Sequence, residues 1–317
     1  MTESREGNTI MTRLLSALAL IGSLAIGAMA SPARAIDLPG PLVSTEWLAT
    51  HLEEVLVLDV RNDDTSYREG GHIIGAIRVD FRRARGTAME RGVQLVDMSI
   101  PPDAFAALMR EAGLGGDRPV VLTHRGRSPD DAGYAAYVYW QLRMAGFDHV
   151  AILDGGTTKW IAEGREVWGE DETATPGDFR AGETRRQFLA DTAQVEGVVR
   201  DRSGEVVDAR AFAFFVGLER RPAIPKAGHI PGATLFSFDA NFNADGSFRS
   251  AEALGRAAEA VGLSSSRPVV VYCNTGHVSA ITWFVLHELL GYRDVSLYDG
   301  SMLAWARHDL PVETRLR

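Results

Sequence analysis

One cysteine, Cys273, stands in a chain of 317 residues. That scarcity excludes an internal disulfide, so the thiol is held free for its chemistry, links two chains, or packs as a small apolar residue. No long basic stripe exists to hold a phosphate backbone, and the formal charge is −9. Nucleic acid is therefore not an expected partner. His124 has no cysteine or histidine near it at metal-ligand spacing. No metal and no cofactor are expected.

One long uncharged apolar run is present, over residues 14–30. It follows Arg13 and ends in small-residue sites at Ala30 or at Ala33-Arg34-Ala35. A basic start, an apolar middle and an Ala-x-Ala end make the pattern of a secretory signal over residues 1–35, with translation starting at Met1 or Met11. The run is short for an uncleaved anchor, which is the competing reading. The expectation is a periplasmic or secreted protein, off the membrane once the signal is cleaved. An oxidising compartment is hazardous for an idle thiol, which favours the functional reading of Cys273.

The rest of the chain repeats itself. Val57-Leu58-Asp59-Val60-Arg61 returns as Val206-Val207-Asp208-Ala209-Arg210, and Gly71-His72-Ile73-Ile74-Gly75-Ala76 as Gly228-His229-Ile230-Pro231-Gly232-Ala233. Arg118-Pro119-Val120-Val121 returns as Arg267-Pro268-Val269-Val270, Gly146-Phe147 as Gly291-Tyr292, and Leu153-Asp154-Gly155-Gly156 with Trp160 as Tyr298-Asp299-Gly300-Ser301 with Trp305. Five matches in one order mean a duplicated domain. Short apolar runs at 55–58, 120–122 and 150–153, and at 206–207, 269–272 and 295–298, read as strands. Stretches 134–145 and 280–290 read as helices. Such alternation predicts an α/β fold in which each copy is a mostly parallel, helix-covered sheet with its reactive loops at the C-terminal strand ends. The expected division is a first domain over 36–168, a linker over 169–190 rich in charge, Gly, Thr and Pro, and a second domain over 191–317.

Cys273 falls at such a strand end. The run Pro268-Val269-Val270-Val271-Tyr272 precedes it, and the polar loop Asn274-Thr275-Gly276-His277-Val278-Ser279 follows. A loop of that kind, opening into a helix, aims backbone N–H groups at the sulfur and favours the nucleophilic thiolate. Counting from the shared Arg-Pro-Val-Val, the first copy has His124 where the second has Cys273, so the chemistry is expected in the second copy.

These elements, spread over 43–312, resemble the tandem-domain rhodanese family of sulfurtransferases. The resemblance implies two packed rhodanese-like domains, the first without its cysteine. It also implies that Cys273 carries sulfane sulfur as a persulfide, cradled by Asn274, Thr275, Gly276, His277, Val278 and Ser279. Partners would then be a small donor, thiosulfate or 3-mercaptopyruvate, and an acceptor: cyanide, a thiol or a carrier protein. Thr275 matches the Ser or Thr of mercaptopyruvate-type loops. The chain departs from those enzymes where they use an arginine four residues beyond the Asp-x-Arg arginine, since that position here is Phe214. Arg220 and Arg221 are candidates to replace it, with help from Arg210. Against this, Arg220 and Arg221 fit a solvated loop face, and Arg210 fits an ion pair with a core carboxylate.

His277 is the one loop residue able to carry positive charge. It is a candidate for lowering the thiolate pKa, binding a donor or moving a proton, or else it caps the helix or faces water. His72 and His229 recur in both copies, including the one without cysteine, and read as structural. Two other functions compete. A Cys-x5-Arg phosphatase or arsenate reductase needs an arginine where this chain has Ser279. A non-catalytic module would use Cys273 to hold or sense sulfur species and its negatively charged surface to meet a partner protein.

Overall fold

The computed structural model describes residues 36–115 and 118–315. The expected signal segment, 1–35, lies outside the described residues. Apolar runs in both copies become strands: Leu56–Arg61, Val120–Thr123 and Val150–Leu153 are buried at every position, as central parallel strands covered on both faces must be. With Leu42–Val43 and Ile77–Asp80 at the edges they form a five-stranded sheet, in the order Leu42–Val43, Val150–Leu153, Val120–Thr123, Leu56–Arg61, Ile77–Asp80, with every pairing parallel. The second copy repeats this order with Leu189–Ala190, Val295–Tyr298, Val269–Tyr272, Glu205–Asp208 and Thr234–Leu235, again all parallel. The fold is α/β with two sheets of one topology. Register sets Asp59 opposite Thr123 and Asp208 opposite Tyr272. His124 and Cys273 are thus each the first residue past a central strand.

The repeated motifs staple each sheet to its following turn. Arg61 pairs with Asp59 at 2.6 Å and donates to the Gly71 carbonyl at 3.1 Å; Arg210 pairs with Asp208 at 2.6 Å and donates to the Gly228 carbonyl at 2.8 Å. His72 stacks on Tyr67, and His229 on Phe215, each with ring centroids 3.7 Å apart. Each histidine also bonds the backbone carbonyl of the residue it stacks on through Nδ1.

Residues Ala35–Arg317 form one unit, and a single apolar cluster holds residues of both copies, from Leu56 to Leu297. The first copy's helix Pro129–Met144 is buried without a break from Ala135 to Leu142. It has no solvent face there because it packs on the second copy's helix Ser279–Phe284, where Tyr139 meets Phe284 edge-on at 5.0 Å. The helix expected over 280–290 is not uniform: Ser279–Phe284 is α-helical and Val285–Leu289 is a π-helical turn. The stretch 169–185 contains no helix or strand.

One further element had no counterpart in the sequence reading. Strands Arg85–Glu90 and Val93–Ser99 of the first copy pair as an antiparallel hairpin that reaches over the second copy. Leu95 is buried among second-copy core residues, and the Glu90 carboxylate accepts from Thr192 N at 3.0 Å and from its hydroxyl at 2.9 Å. Among the described residues no helix is long and apolar enough to cross a membrane.

Candidate active site

Cys273 is 1% exposed and lies at the base of a cleft of about 510 Å³. The loop after it is arranged so that its carbonyls turn away from the sulfur. Cys273 O accepts from Met302 N at 3.1 Å, Asn274 O from Leu303 N at 3.0 Å, His277 O from Ala280 N and Val278 O from Ile281 N, both at 3.2 Å. Gly276 O accepts from the Ser279 hydroxyl at 3.0 Å, and Thr275 O from the Arg85 guanidinium. In a planar trans peptide the following N–H points opposite to the carbonyl. Among the described residues the N–H groups of Asn274, Thr275, His277, Val278 and Ser279 have no hydrogen-bond acceptor. Five open donors in the loop that follows Cys273 make it a candidate anion cradle, because N–H groups within a fold are otherwise mostly paired.

The two remaining N–H groups of the loop hold its base. Ser301 Oγ accepts from Cys273 N at 3.1 Å and Gly276 N at 3.0 Å while donating to the Tyr298 carbonyl at 2.8 Å. Its full hydrogen-bonding capacity is thereby used. Ser301 reaches this position in a left-handed conformation, φ 49°. The first copy has Gly156 there, and a Cβ on Gly156 would stand 2.6 Å from the His124 carbonyl and 2.8 Å from its ring. His124 therefore demands glycine beneath it, whereas Cys273 leaves room for a serine that ties the loop. Gly276, at φ 81°, presses on Asp299: a Cβ there would lie 2.4 Å from Oδ1. Asp299 is fully buried and accepts from Ser99 N at 2.7 Å and the Tyr137 hydroxyl at 2.8 Å. Burial pushes its pKa up, opposed by the Arg85 charge and the Ser99 N–H.

His277 lines the cleft, and of its expected roles the structure speaks against that of a cation. Its ring does not serve as a cation facing the sulfur; it stacks on Tyr134 at 4.5 Å in a slot that exists because residue 133 is glycine, whose Cβ would meet Nε2 at 2.6 Å. Nε2 is shut away from water with no partner. Burial, with the Arg85 and Arg221 charges adding, lowers the His277 pKa to about 3, so the ring is neutral. Ser279 Oγ stands 3.5 Å from Cys273 Sγ and occupies the position where a Cys-x5-Arg enzyme would place its oxyanion clamp.

Three arginines were candidates for the donor. Arg210 lines the cleft but is committed to Asp208, with Nη1 3.5 Å from Asn274 Oδ1. Burial works against its charge, and the Asp208 carboxylate outweighs burial and holds the pKa above the ordinary arginine value. Arg220 turns back onto the Ile224 carbonyl and is not part of the cleft wall. Arg221 does line the cleft, and its charge acts on Asp130 across it. The other walls are mostly apolar, with Phe214, Ile224, Phe238 and Val278. Among the described residues no cluster of His, Cys, Asp and Glu could hold a metal ion.

Arg85, Ser99, Tyr137, Asp299 and Ser301 were missing from the candidates. The last two lay inside a repeated motif, and the change from Gly156 to Ser301 was a readable signal. For the first three no local signal exists, since their contacts to the second copy span 190, 200 and 162 residues.

The chain matches the rhodanese-like domain over residues 44–163 and again over 192–308. It is 35% identical over 278 residues to the "Sulfur carrier protein TtuD" of Thermus thermophilus, covering 84% of this chain and 94% of that one. It is 33% identical over 268 residues to a Saccharopolyspora erythraea protein named "Putative thiosulfate sulfurtransferase", covering 82% and 91%. Among solved structures, the 3-mercaptopyruvate sulfurtransferase SseA of Escherichia coli superimposes with a TM-score of 0.70 at 24% identity over 83% of this chain and 98% of that one. The anaerobic ergothioneine biosynthesis enzyme of Chlorobium limicola does so with a TM-score of 0.74 at 21% identity, over 87% and 71%. At those identities the structural likenesses speak for the fold.

Proposed function

This chain belongs to the rhodanese-like domain family, whose domain it carries twice and whose work is sulfur transfer, and from that premise we propose that Cys273 is its sulfur carrier. The Cys273 thiolate attacks the sulfane sulfur of the donor. With thiosulfate the S–S bond breaks and sulfite leaves with the electron pair. With 3-mercaptopyruvate the C–S bond breaks and the three-carbon fragment leaves as an enolate that takes up a proton. A thiolate, cyanide or carrier-protein thiol then attacks the outer sulfur of the persulfide, and Cys273 departs as thiolate, by the rules of thiol–disulfide exchange. The observation that carries this reading is the set of five acceptor-free N–H groups in the loop that follows Cys273, because a persulfide is an anion placed out of water and needs donors. Arg221, on the cleft wall, meets the donor's anionic end. Export to the periplasm or beyond, by the apolar segment before residue 36, belongs to the same proposal.

A second reading, a sulfur carrier that loads once and hands on to a protein, is favoured by the likeness to TtuD. Both readings predict that intact mass rises by one sulfur atom after incubation with thiosulfate or 3-mercaptopyruvate, and that Cys273→Ser gains none. Multiple turnovers with cyanide or a small thiol mark the enzyme; loading without turnover marks the carrier. No mass gain from either donor, with folded protein and a reduced thiol, would sink the proposal.

A further inference from the structure

We propose that Arg85, a residue of the cysteine-free first copy, is a positioning residue for the sulfur-carrying loop of the second. The cradle works only if every loop carbonyl is turned outward, for a carbonyl aimed inward would repel the persulfide it is meant to hold. Five of the six carbonyls from Cys273 to Val278 are held by partners within the second copy. Thr275 is the exception: its carbonyl is held by Arg85 alone, from 190 residues away. On the opposite side of the same peptide, Gly276 N donates to Ser301 Oγ. Arg85 and Ser301 thus grip the 275–276 peptide from its two sides, with Arg85 as the side supplied by the other copy.

Arg85 is itself held in place. Its guanidinium lies over the Tyr137 ring at 4.9 Å and the Phe81 ring at 5.4 Å, and it also donates to the Asp97 carbonyl on the facing hairpin strand. A planar cation resting against two neighbouring rings has little freedom to leave the Thr275 carbonyl. The hairpin that carries it is fixed to the second copy next to the loop, where Asp299 accepts from Ser99 N. The first copy offers a control within the same molecule. Its Asp154 accepts at 2.7 Å from Phe248 N of the second copy's short hairpin, as Asp299 does from Ser99. Counting on from His124, the counterpart of Thr275 there is Gly126, and among the described residues no arginine of that hairpin donates to its carbonyl. Among the described residues an arginine of the other copy reaches a loop carbonyl only at the loop that carries Cys273.

The inference rests on Cys273 being the loading sulfur, and the test separates the two claims. Single-turnover loading by thiosulfate is followed by intact mass in the full chain, for wild type, Arg85→Ala, Arg85→Lys and, as a control at the exposed hairpin tip, Arg91→Ala. Carbamidomethylation of Cys273 by neutral iodoacetamide and hydrogen exchange of the 273–279 peptide are measured beside it. A misplaced cradle costs about a hundredfold in rate, so Arg85→Ala is expected to load about a hundredfold more slowly at saturating donor. The half-saturating donor concentration should stay within about threefold, because Arg85 does not touch the donor. Arg85→Lys, which keeps the charge and a donor, is expected to recover about tenfold of that loss, and Arg91→Ala to load as wild type. Loading by Arg85→Ala within about threefold of wild type would overturn the proposal, as would a loss confined to donor affinity. If wild type loads from neither donor, the functional reading fails on its own. Faster exchange of the loop peptide in the Arg85 variants then still supports the positioning role, and unchanged exchange refutes it. Should Arg85→Ala not fold, the same comparison is decided on Arg85→Lys.

Discussion

Removing the Ser301 hydroxyl tests whether the loop is held as described. Ser301→Ala leaves the N–H groups of Cys273 and Gly276 without the acceptor they now reach at 3.1 and 3.0 Å, and leaves the Tyr298 carbonyl without its donor. Residue 301 is fully buried, so each orphaned group costs about 1–3 kcal/mol, reduced by the desolvation that the hydroxyl itself no longer suffers. A net loss of about 3 kcal/mol follows from that range. Ser301→Gly breaks the same bonds but relieves the left-handed φ of 49°. That relief is about 1–2 kcal/mol, partly offset by the greater freedom glycine has in the unfolded chain. The glycine variant should therefore be more stable than the alanine one by up to about 1 kcal/mol, although it removes more atoms. In a thermal melt, at about 2–4 °C per kcal/mol for a chain of this order of size, the alanine variant should melt about 6–12 °C below wild type, with the glycine variant above it. Both should load sulfur more slowly. An alanine variant as stable as wild type, or a glycine variant below it, would refute the account of the loop's base.

Two further outcomes can be checked. Burial, with the Arg61 charge adding, lowers the His124 pKa from 6.5 to about 3, so between those values the unfolded chain binds a proton that the native state refuses. Native stability is then full above pH 6.5 and falls as pH drops toward 3, by about 1.4 kcal/mol per unit for this group. Urea midpoints of His124→Leu should fall less steeply on acidification than those of wild type, and equal slopes would remove His124 from the explanation. Arg221→Ala should raise the half-saturating concentration of an anionic donor about fivefold, with the loading rate at saturation unchanged, since a partly screened cation contributes about 1 kcal/mol. A change confined to the saturated rate would mean that Arg221 acts on the loop and not on the donor.

What was legible in the chain follows the range over which its causes act. Strands such as Val269–Tyr272 are written in their own residues, because a strand covered on both faces must be apolar throughout. The duplication then supplied the second sheet from the first. The place of Cys273 at a strand end was legible for the same reason: a lone cysteine between an apolar strand and a polar loop is a local pattern. The setting of His277 was not legible, because a polar residue in a polar loop says nothing of what its ring packs against. Its actual place depends on Gly133, a residue of the other copy whose missing side chain opens the slot. The hairpin Arg85–Ser99 escaped notice since it pairs only with itself and with the second copy, and its residues carry no repeat that could be matched.

The exchange of hairpins between the copies explains why a cysteine-free domain belongs to the working molecule. Each copy offers an aspartate after its Val150–Leu153 or Val295–Tyr298 strand, and each aspartate takes a backbone N–H from the other copy's hairpin. The exchange is not even. The second copy's contribution is the short turn 242–248, joined by one bridge between Phe242 and Phe248 and pinned by Lys159 to Asp245 at 3.0 Å. The first copy's contribution is the full hairpin carrying Arg85 and Asp97, and Asp97 lines the cleft above the sulfur. A loop that must keep five N–H groups open cannot pair its carbonyls with its own open backbone donors, because every such bond would close one of them. Its outward carbonyls need donors from elsewhere, and at Thr275 the nearest elsewhere is the other copy. The cysteine-free first domain thereby helps to hold the loop that carries Cys273 in the second.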